Sequence, residues 1–231
     1  KNLGMGAGNN LGIKNVTSDY AFVLNPDVIL EKDTIDEIIM ESRKIESFAV
    51  IAPIEIDKNF PNYKLGKDVR SHPDEPSPFN VKSVDGYAMI LNLKKLNSID
   101  KFDYFDENFF MYLENDDLCR RIINLNEKIF VIPKSKIKHL GGKAVNKIYE
   151  YEIELSRNWH WIWSKFYFKK KYYGYFFAVL SGLPNFFSSI FKFVIYFLIN
   201  NKKNKIYMNR VLGFINGLLL KNSHYRPKIN D

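Results

Sequence analysis

The charged residues of this chain are distributed unevenly, and this asymmetry limits what the chain can fold into. Residues 1–156 hold 21 lysines and arginines against 25 acidic residues, a net charge of −4. Residues 157–231 hold 13 basic residues against one acid, Asp231, a net charge of +12. Two such compositions predict two parts with different surroundings. We place one domain at residues 1–148 and a helical, basic and aromatic region at residues 149–231.

The first part alternates short apolar runs with amphipathic segments. Residues 33–46 and 114–126 have helical patterns, and a proline-rich loop is predicted at residues 57–80. Each apolar run is bounded by turn residues, with Pro53 and Pro133 ending two of them, which is typical of buried strands. The predicted strands are residues 20–24, 48–52, 81–84, 87–91 and 129–132. This alternation predicts an α/β fold on a largely parallel sheet.

The overall composition excludes several classes of protein. Hydrophobic residues make up 46% of the chain, which is enough to form a core and excludes wholesale disorder. The sequence has no internal repeat or heptad pattern, which excludes solenoids and coiled coils. The single cysteine, Cys119, excludes an intrachain disulfide framework and a cysteine-based zinc site, and it favours a reducing compartment.

The helical region contains two apolar stretches separated by Pro184 and Asn185. Residues 175–183 and 186–199 are each shorter than the about 20 apolar residues that span a bilayer. Flanking lysines and an aromatic body favour helices that lie in the membrane interface, over a helical subdomain packed on the sheet or a spanning or re-entrant segment. A nucleic-acid-binding arm has no use for such an apolar run. We therefore predict a membrane surface as a partner and no nucleic acid.

Asp27 is the first candidate functional residue. It follows a predicted buried strand in the segment Asn25-Pro26-Asp27, at the strand end where open α/β sheets bind ligands. A carboxylate at that place can hold a divalent cation that bridges two phosphates of a nucleotide. The alternative is a simple turn, because this tripeptide is common turn chemistry.

The acidic cluster at residues 114–117 is the second candidate. Acids in the first turn of a helix are favoured by its dipole, so the cluster can be a helix cap. Beside aromatic residues, it also suits a general base whose pKa is raised by partial burial. Asp117 and Arg121 are four residues apart and can pair, which leaves Glu114 as the freer group.

His139 and Asp85 are candidates because glycines stand beside them. Gly141 follows His139 by two residues, and Gly86 follows Asp85 directly. A glycine leaves room for a ligand or a metal to approach the backbone. The alternatives are a packing role for His139 and a strand bulge at Asp85.

These segments occur in a recognisable order. A glycine-rich segment is followed by a strand with Asn-Pro-Asp, by Asp-Gly-Tyr-Ala-Met, by Phe-Asp-Glu-x-Phe-Phe-Met-Tyr-x-Glu-x-x-Asp-Leu-Cys-x-Arg, and by His-x-Gly-Gly. In this order the chain resembles the family 2 glycosyltransferases, particularly the rhamnosyltransferase-like branch that builds bacterial surface polysaccharides. The resemblance covers roughly residues 2–145 and is most specific over residues 102–121.

The resemblance implies a GT-A type fold that transfers a sugar, with inversion, from a nucleotide-diphospho-sugar to a saccharide acceptor, which we expect to be lipid-linked. It implies a divalent cation, Mg²⁺ or Mn²⁺, at Asp27 and His139. We expect a cytoplasmic protein that is peripheral on the inner face of the cell membrane. Catalytic roles are expected at Glu114 and Asp116. Donor or acceptor contacts are expected at Gly8, Asn10, Asn25, Asp85, Gly86, Asp117 and Arg121.

The sequence departs from the family in two places. The family usually places its base in a Glu-Asp pair, and this chain has Glu114-Asn115 there. Because an asparagine cannot take a proton, the base role falls to Glu114 or Asp116. Family members also begin with a strand, a helix and a strand ahead of the glycine-rich segment, so we expect a chain that is incomplete at its N-terminus and binds donor poorly by itself. The alternative is a non-catalytic, sugar-nucleotide-binding relative in which Asn115 marks loss of the base.

Overall fold

The computed structural model describes residues 2–66, 77–142 and 146–228 of the chain. Part of the loop predicted at residues 57–80 lies outside the described residues, at residues 67–76. The described part of that segment is not loop alone, because it contributes two short strands to the fold.

The chain forms two compact units. We call the first the sheet unit, which consists of the described residues of 8–106 and 114–144. We call the second the helical unit, which consists of the described residues of 1–7, 107–113 and 145–231. The predicted α/β class, with a helical C-terminal region, is confirmed.

The sheet unit is built on a central sheet with the strand order β1-β7-β3-β8-β2, and β5 also pairs with β8. Strands β4 and β6 form a separate two-stranded ribbon. In the part of the chain that the structure describes, the strands are β1 (Tyr20–Leu24), β2 (Val28–Leu30), β3 (Val50–Glu55), β4 (Tyr63–Lys64), β5 (Phe79–Asn80), β6 (Ser83–Val84), β7 (Ala88–Asn92) and β8 (Ile129–His139).

The central sheet is mixed, so the prediction of a largely parallel sheet is wrong. β3 and β8 pair in parallel, whereas β1 with β7, β3 with β7, β2 with β8 and β5 with β8 pair antiparallel. Parallel neighbours need a crossover of about a dozen residues or more. The connection from β1 to β2 consists of residues 25–27 alone. This short connection reverses the chain, and β2 therefore runs against β8.

Two prolines predicted to end strands lie inside them instead. Pro53 is within β3 and Pro133 is within β8. The register between these strands shifts after Pro53, which pairs with Ile132, because the next residue, Ile54, pairs with Lys136. A bulge of this kind leaves residues unpaired, so the strand continues past a residue that has no N–H to donate.

Helices α2 and α4 lie within the helical patterns predicted at residues 33–46 and 114–126. The glycine-rich segment contributes a further helix, α1, which begins directly after Gly4, whose φ is 103°. A short 3-10 turn at Lys147–Tyr149 precedes the long C-terminal helices. The described helices are α1 (Met5–Lys14), α2 (Thr34–Ser42), α3 (Leu93–Asn97), α4 (Glu114–Asn124), α5 (Glu150–Tyr173), α6 (Tyr175–Leu198) and α7 (Lys203–Leu218).

Apolar side chains cover both faces of the central sheet. Met89 and Leu91 of β7 belong to a buried cluster with Leu118 of α4. The intervening residue Ile90 belongs to a second cluster with Ile38 of α2. Since successive side chains of a strand point to opposite faces, the sheet is layered between α4 and α2.

Helix α6 corrects the prediction of two separate apolar stretches. Pro184 lies inside one continuous helix of 24 residues, not at a break. By length and composition α6 can cross a membrane, and 11% of its most apolar segment is buried. Its exposed residues include Phe176, Leu180, Phe187 and Phe191. The helical unit thus exposes an apolar surface on one continuous helix. The sequence pattern had divided this helix into two stretches, each too short to span a bilayer.

Candidate functional site

The directions of the strands bring polar residues of the sheet unit to one edge of the sheet. β1, β3 and β8 run in the same direction and β7 runs against them. The carboxyl ends of the first three strands therefore share an edge with the amino end of β7. Asp27, Glu55, Asp85 and His139 lie at or next to these four strand ends. We call these four residues the edge cluster.

The two predicted metal-binding residues, Asp27 and His139, lie together in the edge cluster. Asp27 Oδ1 is 3.3 Å from His139 Nε2. Asp27 Oδ2 accepts a hydrogen bond from the backbone N–H of Gly142 at 3.0 Å. The carbonyl of Asp27 accepts a second one from the N–H of Leu140 at 2.9 Å. The turn after β1 is thereby fixed against the end of β8.

Glu55 holds the other side of His139, and the sequence analysis did not single it out. Glu55 Oε2 accepts a hydrogen bond from the backbone N–H of His139 at 2.8 Å. Tyr87 also hydrogen-bonds to Glu55, and its ring stacks on the His139 imidazole with centroids 4.0 Å apart. Burial, with the carboxylates of Asp85 and Glu55, raises the pKa of the Tyr87 phenol, which stays protonated and can donate.

Asp85 lies beside an ion pair of the same unit. Its backbone N–H donates to the carbonyl of Asn62 at 2.8 Å. Burial raises the pKa of the Asp85 carboxyl, nearby Asp116 raises it further, and Lys64 and His139 oppose this effect. Lys64 Nζ lies 2.6 Å and 2.9 Å from the two carboxylate oxygens of Asp116. Lys64 therefore holds Asp116 in an ion pair through both carboxylate oxygens.

Asn115 joins the first turn of α4 to the segment that carries Asp85. Its Nδ2 donates to the carbonyl of Val84 at 2.9 Å, a bond that a carboxylate cannot donate. A Cβ at Gly86 would lie 3.1 Å from the Cβ of Asn115. Asn115, the asparagine beside Glu114, therefore packs closely against the segment that contains Asp85 and Gly86.

Glu114, the first residue of α4, is a buried acid without a cation. Its residue surface is 8% exposed, and within the described part of the chain Oε2 has no hydrogen-bond partner. Burial raises the pKa of the Glu114 carboxyl to about 7; its own backbone N–H opposes this, and Asp116 adds to it. A carboxyl with a pKa near neutrality is suited to general base catalysis.

Some of the predicted site residues are near one another in the sheet unit. Asp27 contacts His139, and Asp116 raises the pKa of both Asp85 and Glu114. The metal-binding, donor-contacting and catalytic roles of these residues stay predictions.

Asn10 and Asn25 have defined structural partners in the sheet unit. The Asn10 side chain donates to the carbonyl of Phe105 and accepts from its N–H, both at 2.9 Å. The N–H of Asn25 donates to the carbonyl of Tyr87 at 2.8 Å, which fixes the end of β1 beside the edge cluster. Gly8 lies within α1, and a Cβ there would meet nothing within 4 Å.

Asp117 and Arg121 form the predicted ion pair, with Arg121 Nε 2.8 Å from Asp117 Oδ2. The Arg121 guanidinium also donates to the carbonyls of Asp103 and Tyr104 and lies over the ring of Phe102. Asp117 is fully buried. These contacts tie the loop before α4 to that helix, and a role in substrate binding stays a prediction.

Asp27 and His139 fit a divalent cation that is held mainly by substrate oxygens. Among residues 2–66, 77–142 and 146–228, no three His, Cys, Asp or Glu side chains are grouped closely enough to hold a metal alone. The pair supplies one carboxylate oxygen and one imidazole nitrogen. Mg²⁺ is often held by one or two carboxylates together with substrate phosphates, and Mn²⁺ also suits carboxylate oxygens.

Comparisons with known proteins give distant structural similarities. No protein-family model matches the chain, and no curated protein matches it. The crystal structure of GalNAc-T7 with UDP, GalNAc and Mn²⁺ is similar, with 10% identity and a TM-score of 0.47, over 68% of this chain and 37% of that one. The crystal structure of A197 from STIV is similar with 11% identity and a TM-score of 0.40, over 58% of this chain and 63% of that one. The chain thus spans less than two thirds of either structure's length.

Three residues of the site were not predicted from the sequence. Glu55 was hidden because its strand was predicted to end at Pro53. Lys64 falls in the segment predicted as loop, where no pattern indicates a partner. Tyr87 stands in Asp85-Gly86-Tyr87, so a motif signal was present, but its stacking on a histidine 52 positions away depends on the pairing of distant strands.

Proposed function

We propose that this chain is a glycosyltransferase that moves a sugar from a nucleotide-diphospho-sugar to a saccharide acceptor. One observation carries the proposal: the sheet unit holds both a buried carboxyl with a pKa of about 7, Glu114, and the Asp27–His139 pair. A base for an acceptor hydroxyl and a site for a diphosphate are the two parts that this reaction needs. Asp27 and His139 lie at the strand ends where open α/β sheets bind ligands, as a GT-A type fold implies.

Glu114 would act as the general base. The acceptor hydroxyl oxygen attacks the anomeric carbon, its proton passes to Glu114, and the bond from that carbon to the phosphate oxygen breaks. The electron pair of that bond leaves with the nucleoside diphosphate. Attack from the face opposite the leaving group inverts the anomeric centre and needs no covalent enzyme intermediate.

Asp27 and His139 would hold Mg²⁺ or Mn²⁺ together with the donor diphosphate. The bound cation would neutralise the charge that develops on the departing nucleoside diphosphate. Glu55 fixes the backbone of His139, and Tyr87 packs against its ring, so the imidazole is held in one orientation. Asp85 lies beside this pair, where it would contact the donor sugar or the acceptor hydroxyl.

The helical unit would bring the enzyme to a lipid-linked acceptor at a membrane surface. Its helix α6 exposes apolar side chains, and residues 157–231 carry the net charge of +12. These properties support association with a membrane, and we propose the cytoplasmic face of the cell membrane as its place. Polysaccharide synthesis by a rhamnosyltransferase-like enzyme is the pathway class that the sequence resemblance suggests.

The second candidate is a non-catalytic protein that binds a sugar nucleotide. The Asn115 amide favours it, because the position that resembles a catalytic acid here makes a structural hydrogen bond to Val84. In that case the edge cluster would bind a donor but release no nucleotide.

A donor screen tests both candidates. The protein expressed from its complete reading frame is mixed with a panel of nucleotide-diphospho-sugars and Mn²⁺, and released nucleoside diphosphate and donor binding are both measured. Release that depends on the cation and increases with a saccharide acceptor supports the transferase. Binding without release supports the second candidate, and the absence of binding for every donor contradicts both.

A further inference from the structure

Two stacked tyrosines in the helical unit are surrounded by cations. Tyr196 of α6 and Tyr207 of α7 stack with centroids 5.4 Å apart and an angle of 3°. Lys192 Nζ is 5.5 Å from the Tyr207 centroid, and Arg210 Cζ is 5.9 Å from it. Lys203 Nζ is 5.8 Å from the Tyr196 centroid. We call these five residues the tyrosine–cation cluster.

The cations of the tyrosine–cation cluster form no ion pair among the described residues. The sequence from residue 157 to residue 228 contains no Asp or Glu, and none of the cluster's cations has an ion pair in the described part of the chain. Arg210 Nε is buried and lacks a hydrogen-bond partner there. A buried donor without a partner costs free energy, so the Arg210 guanidinium is not satisfied within the described part of the protein.

Other cations lie close to the cluster and add to its positive charge, which favours the binding of an anion. Burial lowers the pKa of the Lys165 ammonium, and the nearby charges of Lys169 and Arg210 lower it further. Lys165 Nζ lies 4.2 Å from the centroid of the Trp161 ring. Like charges gathered near one another repel, and a phosphate placed among them would remove that repulsion.

The apolar surface of α6 beside this cluster indicates the kind of anion. Ile195 and Ile199, which lie on the same side of the helix as Tyr196 and Lys192, are 40% and 62% exposed. An anionic group joined to an apolar body therefore fits this surface better than a soluble anion does. A nucleic acid would satisfy the cations and leave these side chains in water.

We propose that the tyrosine–cation cluster binds the phosphate headgroup of a membrane lipid, while the exposed face of α6 contacts its acyl chains. Lys192 and Lys203 pair with the phosphate oxygens, and Arg210 donates to them. Tyr196 and Tyr207 supply hydroxyls at the depth of the headgroups, as aromatic residues do at membrane interfaces. The inference refines the membrane partner in the proposed function and does not depend on sugar transfer.

Vesicle binding by a matched pair of variants tests this site. The double variant Lys192→Gln with Lys203→Gln removes two exposed cations of the cluster. The double variant Lys221→Gln with Lys228→Gln removes two exposed cations of the same unit outside it. Both lose the same charge, so an unspecific attraction to anionic lipid predicts the same loss for both.

Co-sedimentation is measured with vesicles of phosphatidylcholine alone and of phosphatidylcholine with phosphatidic acid. We expect phosphatidic acid to strengthen binding of the parent protein, the cluster variant to lose at least about tenfold in affinity, and the control variant to lose clearly less. Equal losses for the two variants overturn the site. Binding that is the same on both vesicles also overturns it.

Two further measurements are needed. The first identifies whether the bound phosphate belongs to a lipid, and the second checks that the variant folds. Inorganic phosphate that displaces the protein from vesicles as effectively as soluble phosphatidic acid of short chain length overturns the lipid assignment. Retained helical circular dichroism in the cluster variant shows that a loss of binding comes from the missing cations. If that variant does not fold, Tyr207→Phe, which keeps every cation and removes one hydroxyl, is expected to weaken phosphatidic acid binding about twofold to fivefold, and unchanged binding contradicts the site.

Discussion

The sheet unit and the helical unit differ in how their charged side chains are neutralised. Acids of the sheet unit are paired with cations of the same unit, as Asp116 is with Lys64 and Asp117 with Arg121. The helical unit holds lysines over aromatic rings and, from residue 157 to residue 228, no acid. The first arrangement is complete within the protein, so it holds side chains in place. The second is incomplete, and an anion from outside completes it.

Glu114 and Asp85 depart from this arrangement, since burial is the largest influence on the pKa of each carboxyl and raises it. Acids with pKa values raised by burial are typical of sites that exchange protons. We therefore predict function where charge is left unbalanced, at these two acids in one unit and at the tyrosine–cation cluster in the other.

The largest expected effect comes from removing the base. Glu114→Gln keeps the shape of the side chain but cannot accept a proton, so we expect sugar transfer to fall by about 10³-fold, within the range for general base catalysis. Donor affinity, measured by calorimetry, is expected to stay within about twofold, since the diphosphate is held elsewhere. The exposed Glu46→Gln is the control. Transfer at the parent's rate by the Glu114 variant would remove this residue from the base role.

Glu114→Gln also tests the raised pKa of Glu114, through the pH dependence of the free energy of unfolding. Because the pKa of Glu114 is raised to about 7 in the folded chain from its ordinary value of 4.5, the folded state keeps a proton that the unfolded state loses between these two pH values. The stability that this group contributes is fully present below pH 4.5 and is lost as the pH rises through about 7.

We therefore expect Glu114→Gln to gain about 3 kcal/mol in unfolding free energy relative to the parent between pH 4.5 and pH 8, measured by urea denaturation. Glu46→Gln is expected to follow the parent at every pH. A difference between Glu114→Gln and the parent that does not change with pH would contradict the raised pKa.

The cation requirement tests the completeness of the edge cluster. Asp27→Asn keeps the hydrogen bond from the Gly142 N–H available but removes a charge, so the Mn²⁺ concentration for half-maximal transfer is expected to rise by about 10–100-fold. Asp33→Asn is the control, because the Asp33 carboxylate is exposed and makes no capping hydrogen bond to α2. An unchanged Mn²⁺ dependence in the Asp27 variant would contradict the metal assignment.

The smallest expected effect concerns packing in the helical unit. A Cβ at Gly213 would lie 2.5 Å from the carbonyl oxygen of Trp159, so Gly213→Ala is expected to destabilise the protein by about 1–3 kcal/mol. A Cβ at Gly12 of α1 would meet nothing within 4 Å, so Gly12→Ala is expected to be neutral or to stabilise the protein by up to about 1 kcal/mol. Thermal unfolding measures both. Equal effects of the two substitutions would contradict the close approach of α5 and α7.

The sequence predicted best those elements whose pattern is local. Strand β1 has the predicted bounds, Tyr20–Leu24, and α4 begins at Glu114 as predicted. The direction of the sheet was predicted wrongly, because strand pairing depends on contacts between distant segments. The bulge after Pro53 is a case in point, since it exists only between paired β3 and β8.

The candidate site divides in the same way. Asp27, Glu114 and His139 were found from motifs, which are local. Glu55 and Lys64 act on residues 84 and 52 positions away, so no spacing along the chain indicates them. The single helix α6 was missed for a different reason: a proline was taken to end a helix that continues through it.

A crystal structure of the protein with a nucleotide-diphospho-sugar and Mn²⁺ would show whether these residues form one site, because anomalous scattering locates the metal independently of the rest of the density. We expect one Mn²⁺ peak bound by Asp27 and His139, with the diphosphate on the cation and the anomeric carbon on the side of Asp85 and Glu114. A metal and donor bound at another surface, with these four side chains unoccupied, would contradict it.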